Sequence, residues 1–126
     1  MSSSIDNLTD QLDRKRLLQF YEDDTEMMIS AMEMFLDEVI PNFLELEKLV
    51  EQQDWEALTS LTHQMRPWLG MVGLTLLENK LCDIETMAKQ SPNLEIIMIS
   101  CTNFNENLAQ MSSVLKMELA ELSNKL

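Results

Sequence analysis

Hydrophobic residues recur at intervals of three and four positions along most of the chain, which is the spacing of one face of an α-helix. The most regular pattern runs from Leu94 to Leu122 and predicts a long C-terminal helix. A second pattern runs from Met28 to Val50 and contains Pro41. Because proline lacks an amide proton and clashes with the preceding turn, we expect Pro41 to kink this helix or divide it in two. A β-strand over Ile96–Ile99 is an alternative for one short segment, although nothing nearby would pair with it.

Three more helices are predicted from the same periodicity and from turn signals. A short, weakly amphipathic helix covers about Leu8 to Tyr21. Asp54 is a good N-cap for a helix from Trp55 to about Met71, and the next helix covers about Leu74 to Lys89. Short polar breaks separate the four longer helices. The pattern therefore predicts an all-α fold, an antiparallel up-down four-helix bundle with an additional short N-terminal helix.

The composition supports this fold class and narrows the possible functions. The 126 residues include only 2 glycines and 3 prolines, too few for the many turns of an all-β protein. This length suits one domain, so residues 1–126 are predicted to form a single domain in which residues 1–7 are flexible. The formal net charge of −13 disfavours nucleic acid and anionic membranes as partners, because both are bound by clustered Lys and Arg.

Targeting and redox signals indicate a cytoplasmic protein. The N-terminal region has no apolar signal segment, and the apolar stretch Leu94–Ile99 is far too short to span a bilayer. Cys82 and Cys101 are isolated thiols, which is typical of a reducing compartment. A bundle with a single core needs no second chain to bury its apolar faces, so a monomer is expected.

The only histidine of the chain, His63, lies in the helix predicted from Trp55. At about 100° per residue, His63 points roughly 160–180° away from the middle of the apolar stripe of this helix. That stripe consists of Leu58, Leu61, Met65, Leu69 and Val72. The residues that share the face of His63 are Thr59, Arg66, Pro67 and Gly70. We therefore expect the imidazole to face solvent.

An exposed imidazole with a guanidinium one turn away suits a histidine that becomes phosphorylated. The neutral ring nitrogen is the nucleophile, and the guanidinium can hold phosphoryl oxygens. An ordinary surface histidine fits the same spacing. Other chemistries lack their residues, since there is no glycine-rich nucleotide loop, no Glu-x-x-His pair for di-iron, no zinc-ligand spacing and no Gly-x-Ser-x-Gly. No metal or cofactor is expected, nor any ability to take phosphate from ATP directly.

The segment from His63 to Gly73, His-Gln-Met-Arg-Pro-Trp-Leu-Gly-Met-Val-Gly, resembles the signature of the histidine-containing phosphotransfer (HPt) domains of multistep phosphorelays. That signature is approximately His-x-Leu-Lys-Gly-Ser-x-x-x-hydrophobic-Gly on the second helix of a four-helix bundle. The resemblance extends over about residues 20–90. It implies a phosphocarrier, not a kinase, in which His63 relays a phosphoryl group between the aspartates of receiver domains. Those receivers would belong to response regulators or hybrid histidine kinases.

The resemblance also implies roles for residues around His63. Arg66 occupies the cationic position of the signature and would stabilise the phosphoryl group. Glu85 falls where the family often places a Gln or Glu that orients the imidazole, although a solvated surface acid is the other interpretation. Lys89 would add a second cation. The predicted receiver-docking face consists of Thr59, Gln64, Pro67, Gly70 and Lys89.

Two positions depart from the signature. Pro67 replaces a small glycine, and Trp68 replaces a small polar residue. These departures motivate a second hypothesis, a degenerate HPt-like docking or adaptor module that binds a receiver or kinase without carrying phosphate. A third and weaker hypothesis is a purely structural bundle with no role in a relay.

Overall fold

The computed structural model describes residues 11–126, and all regular structure in this range is helical. The α-helices are α1 Arg14–Tyr21, α2 Thr25–Met34, α3 Glu45–Glu51, α4 Trp55–Met71, α5 Thr75–Gln90 and α6 Leu94–Asn124. The all-α prediction is confirmed. The strand alternative for Ile96–Ile99 is wrong, because these residues lie within α6. The predictions for residues 1–10, including flexibility at 1–7, fall outside the described residues.

Short polar side chains determine where four of the helices begin. Each accepts a hydrogen bond from the backbone N–H three residues later and so satisfies an amide that the helix leaves unpaired. The capping residues are Asp13, Asp24, Asp54 and Asn93. The Asp54 cap agrees with the sequence prediction. The predicted start at about Leu8 lies outside the described residues; within them, residues 11–13 are not helical and Asp13 caps a helix that begins at Arg14.

Pro41 interrupts the long predicted helix, as expected. After α2 the chain forms a π-helical turn over Phe35–Val39 and a 3₁₀ turn over Ile40–Leu44, and only then does α3 begin. Proline cannot donate the usual helical hydrogen bond, and the two irregular turns absorb that loss. Both turns still contribute to the core, since Phe35 and Phe43 are fully buried.

One cluster of buried apolar side chains joins all six helices. Its aromatic centre contains Phe43 and Phe104, whose ring centroids are 5.2 Å apart. In α4, Leu58 and Leu69 are fully buried, as the predicted stripe requires, and α4 packs along α5. The short connections between successive long helices favour the predicted up-down order, which stays a prediction. Within residues 11–126 no helix is long and apolar enough to cross a membrane.

The turn between α4 and α5 anchors α1 to the bundle. Gly73 ends α4 with φ +76°, a left-handed conformation that glycine adopts without strain. Its carbonyl accepts a hydrogen bond of 2.8 Å from the Asp13 amide. The Tyr21 hydroxyl donates to the Met71 carbonyl at 2.7 Å. These two hydrogen bonds hold α1 against the end of α4, next to the site described below.

Candidate functional site

His63 lies in the middle of α4, on the side facing away from the core. Its side chain is 72% exposed, so the imidazole is open to an incoming group. This orientation follows from the helical spacing, because the apolar stripe of α4 occupies the opposite side. The imidazole is therefore available to react at the surface.

A buried carboxylate lies directly beside this exposed ring. The Glu85 side chain, on α5, is only 5% exposed, and its Oε2 is 3.4 Å from His63 Nδ1. Arg66 Nη1 donates to Glu85 Oε1 at 2.9 Å, and Lys89 Nζ lies 2.9 Å from Oε2. Three basic side chains thus converge on one carboxylate. The interpretation of Glu85 as a solvated surface acid is wrong, because the packing of α5 against α4 removes its carboxylate from water.

The protonation state of Glu85 reflects two opposing influences. Burial alone would raise the pKa of this carboxyl group, but hydrogen bonds from Lys89 and Arg66 outweigh it and hold the pKa below its ordinary value. The same hydrogen bond raises the pKa of the Arg66 guanidinium. Glu85 is therefore a carboxylate at neutral pH, with its negative charge aimed at Nδ1 of His63.

Arg66 retains unused hydrogen-bonding capacity. Its Nε is buried and has no hydrogen-bond partner among residues 11–126, while Nη1 is occupied by Glu85. A buried donor without a partner is costly, so a ligand that drew the guanidinium toward itself could relieve that cost. With a third of its side chain exposed, Arg66 can reach a group bound at the surface.

Pro67 is accommodated within α4 without ending it, since the helix continues to Met71. Its missing amide leaves the His63 carbonyl without the usual helical donor, but the ring keeps a compact profile beside the imidazole. Trp68 packs partly buried against the core.

A surface groove lies next to His63 and is lined in part by Arg66. Of the predicted docking residues, Thr59 and Gln64 do not line this groove. Pro67 and Gly70 do line it.

The sequence prediction missed Arg16, which lies over Gly70. A Cβ at Gly70 would collide with Arg16 Nη2 and would lie 3.2 Å from Glu78 Oε2. Gly70 therefore provides room for a guanidinium from α1. Phe20, also from α1 and 58% exposed, lines the same groove. Arg16 is far from His63 in sequence, and helical spacing carried no signal for it.

Taken together, these side chains can hold an anion and support a nucleophilic ring nitrogen. Within residues 11–126 no group of three or more His, Cys, Asp and Glu side chains could bind a metal ion. Cys82 and Cys101 are both free thiols. The imidazole of His63 faces solvent, and the Glu85 carboxylate can keep a proton on its Nδ1. The guanidinium of Arg66 and the ammonium of Lys89 can bind a negatively charged group.

Comparison with known proteins agrees with this geometry. The family model of the Hpt domain matches residues 30–125, which is most of the chain and includes all of α4, α5 and His63. Neither a search of curated proteins nor a search of solved structures gave a match. The resemblance noted in the sequence is thereby confirmed, and the chain belongs to the family of Hpt, histidine-containing phosphotransfer, domains.

Proposed function

We propose that this protein is a phosphocarrier in which His63 accepts a phosphoryl group from the aspartate of one receiver domain and passes it to the aspartate of another. Membership of the Hpt family places the chain in phosphorelay signalling. The observation that supports the specific role is the pairing of an exposed His63 with a buried Glu85 carboxylate, 3.4 Å from its Nδ1. An ordinary surface histidine has no need of such a buried partner.

The proposed transfer is a single displacement at phosphorus. Glu85 favours the tautomer with the proton on Nδ1, so the lone pair of Nε2 points to solvent and attacks the aspartyl phosphate. The Nε2–P bond forms as the P–O bond to the aspartate breaks, and the aspartate leaves as a carboxylate. The proton stays on Nδ1, and the positive charge of the phosphorylated ring is balanced by Glu85. The reverse sequence returns the group to a second receiver.

Arg66 and Lys89 would stabilise the phosphoryl oxygens during this transfer. Both cations hold Glu85 at 2.9 Å in the unmodified protein, so they are positioned before any phosphate arrives. Preorganised cations of this kind lower the barrier because they need little rearrangement as charge develops. Among residues 11–126 the Nε of Arg66 has no hydrogen-bond partner, so the guanidinium keeps donor capacity beyond its bond to Glu85.

Incubation with a receiver domain carrying labelled aspartyl phosphate tests the proposal. Label should move to the protein as an adduct that is labile in acid and stable in base, and His63→Gln should abolish it. Ser60→Ala is the matched control, since Ser60 is exposed about one turn before His63 on the same helix and does not line the groove. Label that persists in His63→Gln would overturn the proposal, as would no transfer from any receiver of a complete panel. Receivers that bind without transferring label would instead support the docking-module hypothesis.

A further inference from the structure

A groove of about 510 Å³ lies beside His63, and α1 forms one of its walls. Besides His63, Arg66 and Pro67 from α4, the groove is lined by Arg16 and Phe20. The surface around the phosphoacceptor therefore continues from α4 and α5 onto α1. A partner that reaches His63 from this side must also meet α1.

Arg16 is held in this groove by a defined set of hydrogen bonds. Its Nη1 donates to Glu78 Oε1 at 2.7 Å and to Thr75 Oγ1 at 3.1 Å. Thr75 Oγ1 in turn donates to Asp13 Oδ2 at 2.9 Å. Nη2 has no hydrogen-bond partner among residues 11–126 and lies over Gly70. One face of the guanidinium is thus fixed, while the other can still bind an acceptor.

The charge distribution favours an acidic group at that position. The chain carries 9 Lys and Arg against 22 Asp and Glu, yet Arg16, Arg66 and Lys89 all lie at or beside this groove. The three cations around the groove thus outnumber the two carboxylates with which they pair. Complementary charges of this kind steer encounter and discriminate among partners. Exposed Phe20 and neighbouring Met71 add apolar contact area next to the cation.

We propose that Arg16 is a partner-selecting residue that extends the docking surface of this protein onto α1. This inference rests on the proposed function in taking a receiver domain as the occupant. The receiver places a carboxylate against Arg16 Nη2 and an apolar side chain against Phe20. Gly70 is seven residues from His63, which is about 10 Å along a helix, so Arg16 contacts the partner and not the phosphoryl group. It discriminates between receivers and takes no part in the chemistry.

Receiver binding to full-length Arg16→Gln tests this, with Arg14→Gln as the matched control. Arg14 lies on the same helix and loses the same charge, but it pairs with Glu118 outside the groove. Isolated receiver domains are titrated against both variants in a His63→Gln background, so that Kd is measured without phosphotransfer. For the receiver that binds most tightly, we expect Arg16→Gln to raise Kd about tenfold and to weaken its salt dependence, and Arg14→Gln to change Kd less than about twofold.

A second variant separates an effect on docking from an effect on folding, and a small phosphoryl donor separates docking from the chemistry of transfer. Gly70→Ala displaces the Arg16 guanidinium while favouring the helix, so it should also raise Kd without lowering the melting temperature. In proteins that retain His63, Arg16→Gln should react with the small donor phosphoramidate at the parental rate. Unchanged Kd in Arg16→Gln, slower labelling by phosphoramidate, or no receiver binding at all would overturn the inference. Binding that depends on Arg16 without transfer to His63 would instead refute only the phosphocarrier role.

Discussion

Replacing Glu85 with glutamine tests whether the buried carboxylate holds the site together. The substitution keeps the size of the side chain and one oxygen acceptor, but it removes the charge that Arg66 and Lys89 share at 2.9 Å. It leaves two cations close to each other without their common counter-ion. We therefore expect lower stability in the folded protein, even though no core packing is lost.

The expected size of the effect follows from burial. Removing one partner of a fully buried ion pair costs about 3–5 kcal/mol, because the other charge stays unpaired out of water. Glu85 is 5% exposed, but Arg66 and Lys89 keep 33% and 55% exposure, so water can solvate both once Glu85 is neutral. We therefore expect Glu85→Gln to lower the free energy of unfolding by about 1–2 kcal/mol. For a chain of this length that corresponds to a melting temperature lower by roughly 3–10 °C.

Urea unfolding followed by circular dichroism at several pH values measures this difference. The ordinary pKa of a glutamate carboxyl group, which applies in the unfolded protein, is about 4.5, and the pKa of Glu85 in the folded protein is lower. Its contribution is therefore fully present above that value and is lost as pH falls through the folded pKa. The difference in stability between parent and Glu85→Gln should be present at pH 7 and should shrink below about pH 4.

Glu106→Gln is the control for this experiment. Glu106 is exposed in the middle of α6, so the same change of charge should alter stability by no more than about 0.5 kcal/mol. Equal stability of Glu85→Gln and the parent at pH 7 would refute the reasoning. So would a loss of stability in Glu85→Gln that stays the same down to pH 3, because it could not arise from the charge.

Three further outcomes are expected from other parts of the structure. Gly73→Ala should lower the free energy of unfolding in urea by about 1–2 kcal/mol, because φ is +76° and a Cβ would lie 3.0 Å from Leu17 Cγ; a more stable variant would contradict this. Phe104→Ala should cost about 3–5 kcal/mol in the same assay, since Phe104 is fully buried, and a loss below 1 kcal/mol would show a looser core. At pH 8 iodoacetamide should modify the partly exposed Cys82 well before Cys101, because burial raises the pKa of the Cys101 thiol to about 12. Peptide mass spectrometry measures the labelling of each thiol, and equal labelling would be incompatible with the described packing.

The outward orientation of His63 could be predicted, whereas its environment could not. Orientation on a helix depends only on the positions of apolar residues within a few turns, and those are visible in the sequence. Glu85 presented two interpretations because its burial depends on how closely α5 packs against α4. Its contacts with Arg66 and Lys89 became definite only when that packing was known. Arg16 gave no signal at all, since its place over Gly70 depends on how α1 folds back onto the turn after α4.

The sequence by itself determined the helical fold class, most helix starts, the break at Pro41 and the face on which His63 lies. Each of these depends on hydrogen bonds and side-chain spacing within about one or two helical turns. The tertiary structure alone decided that Glu85 is a buried carboxylate and that Arg16 occupies the space over Gly70. Both result from contacts between helices distant in sequence, where burial changes the free energy of a charge far more than any local preference does.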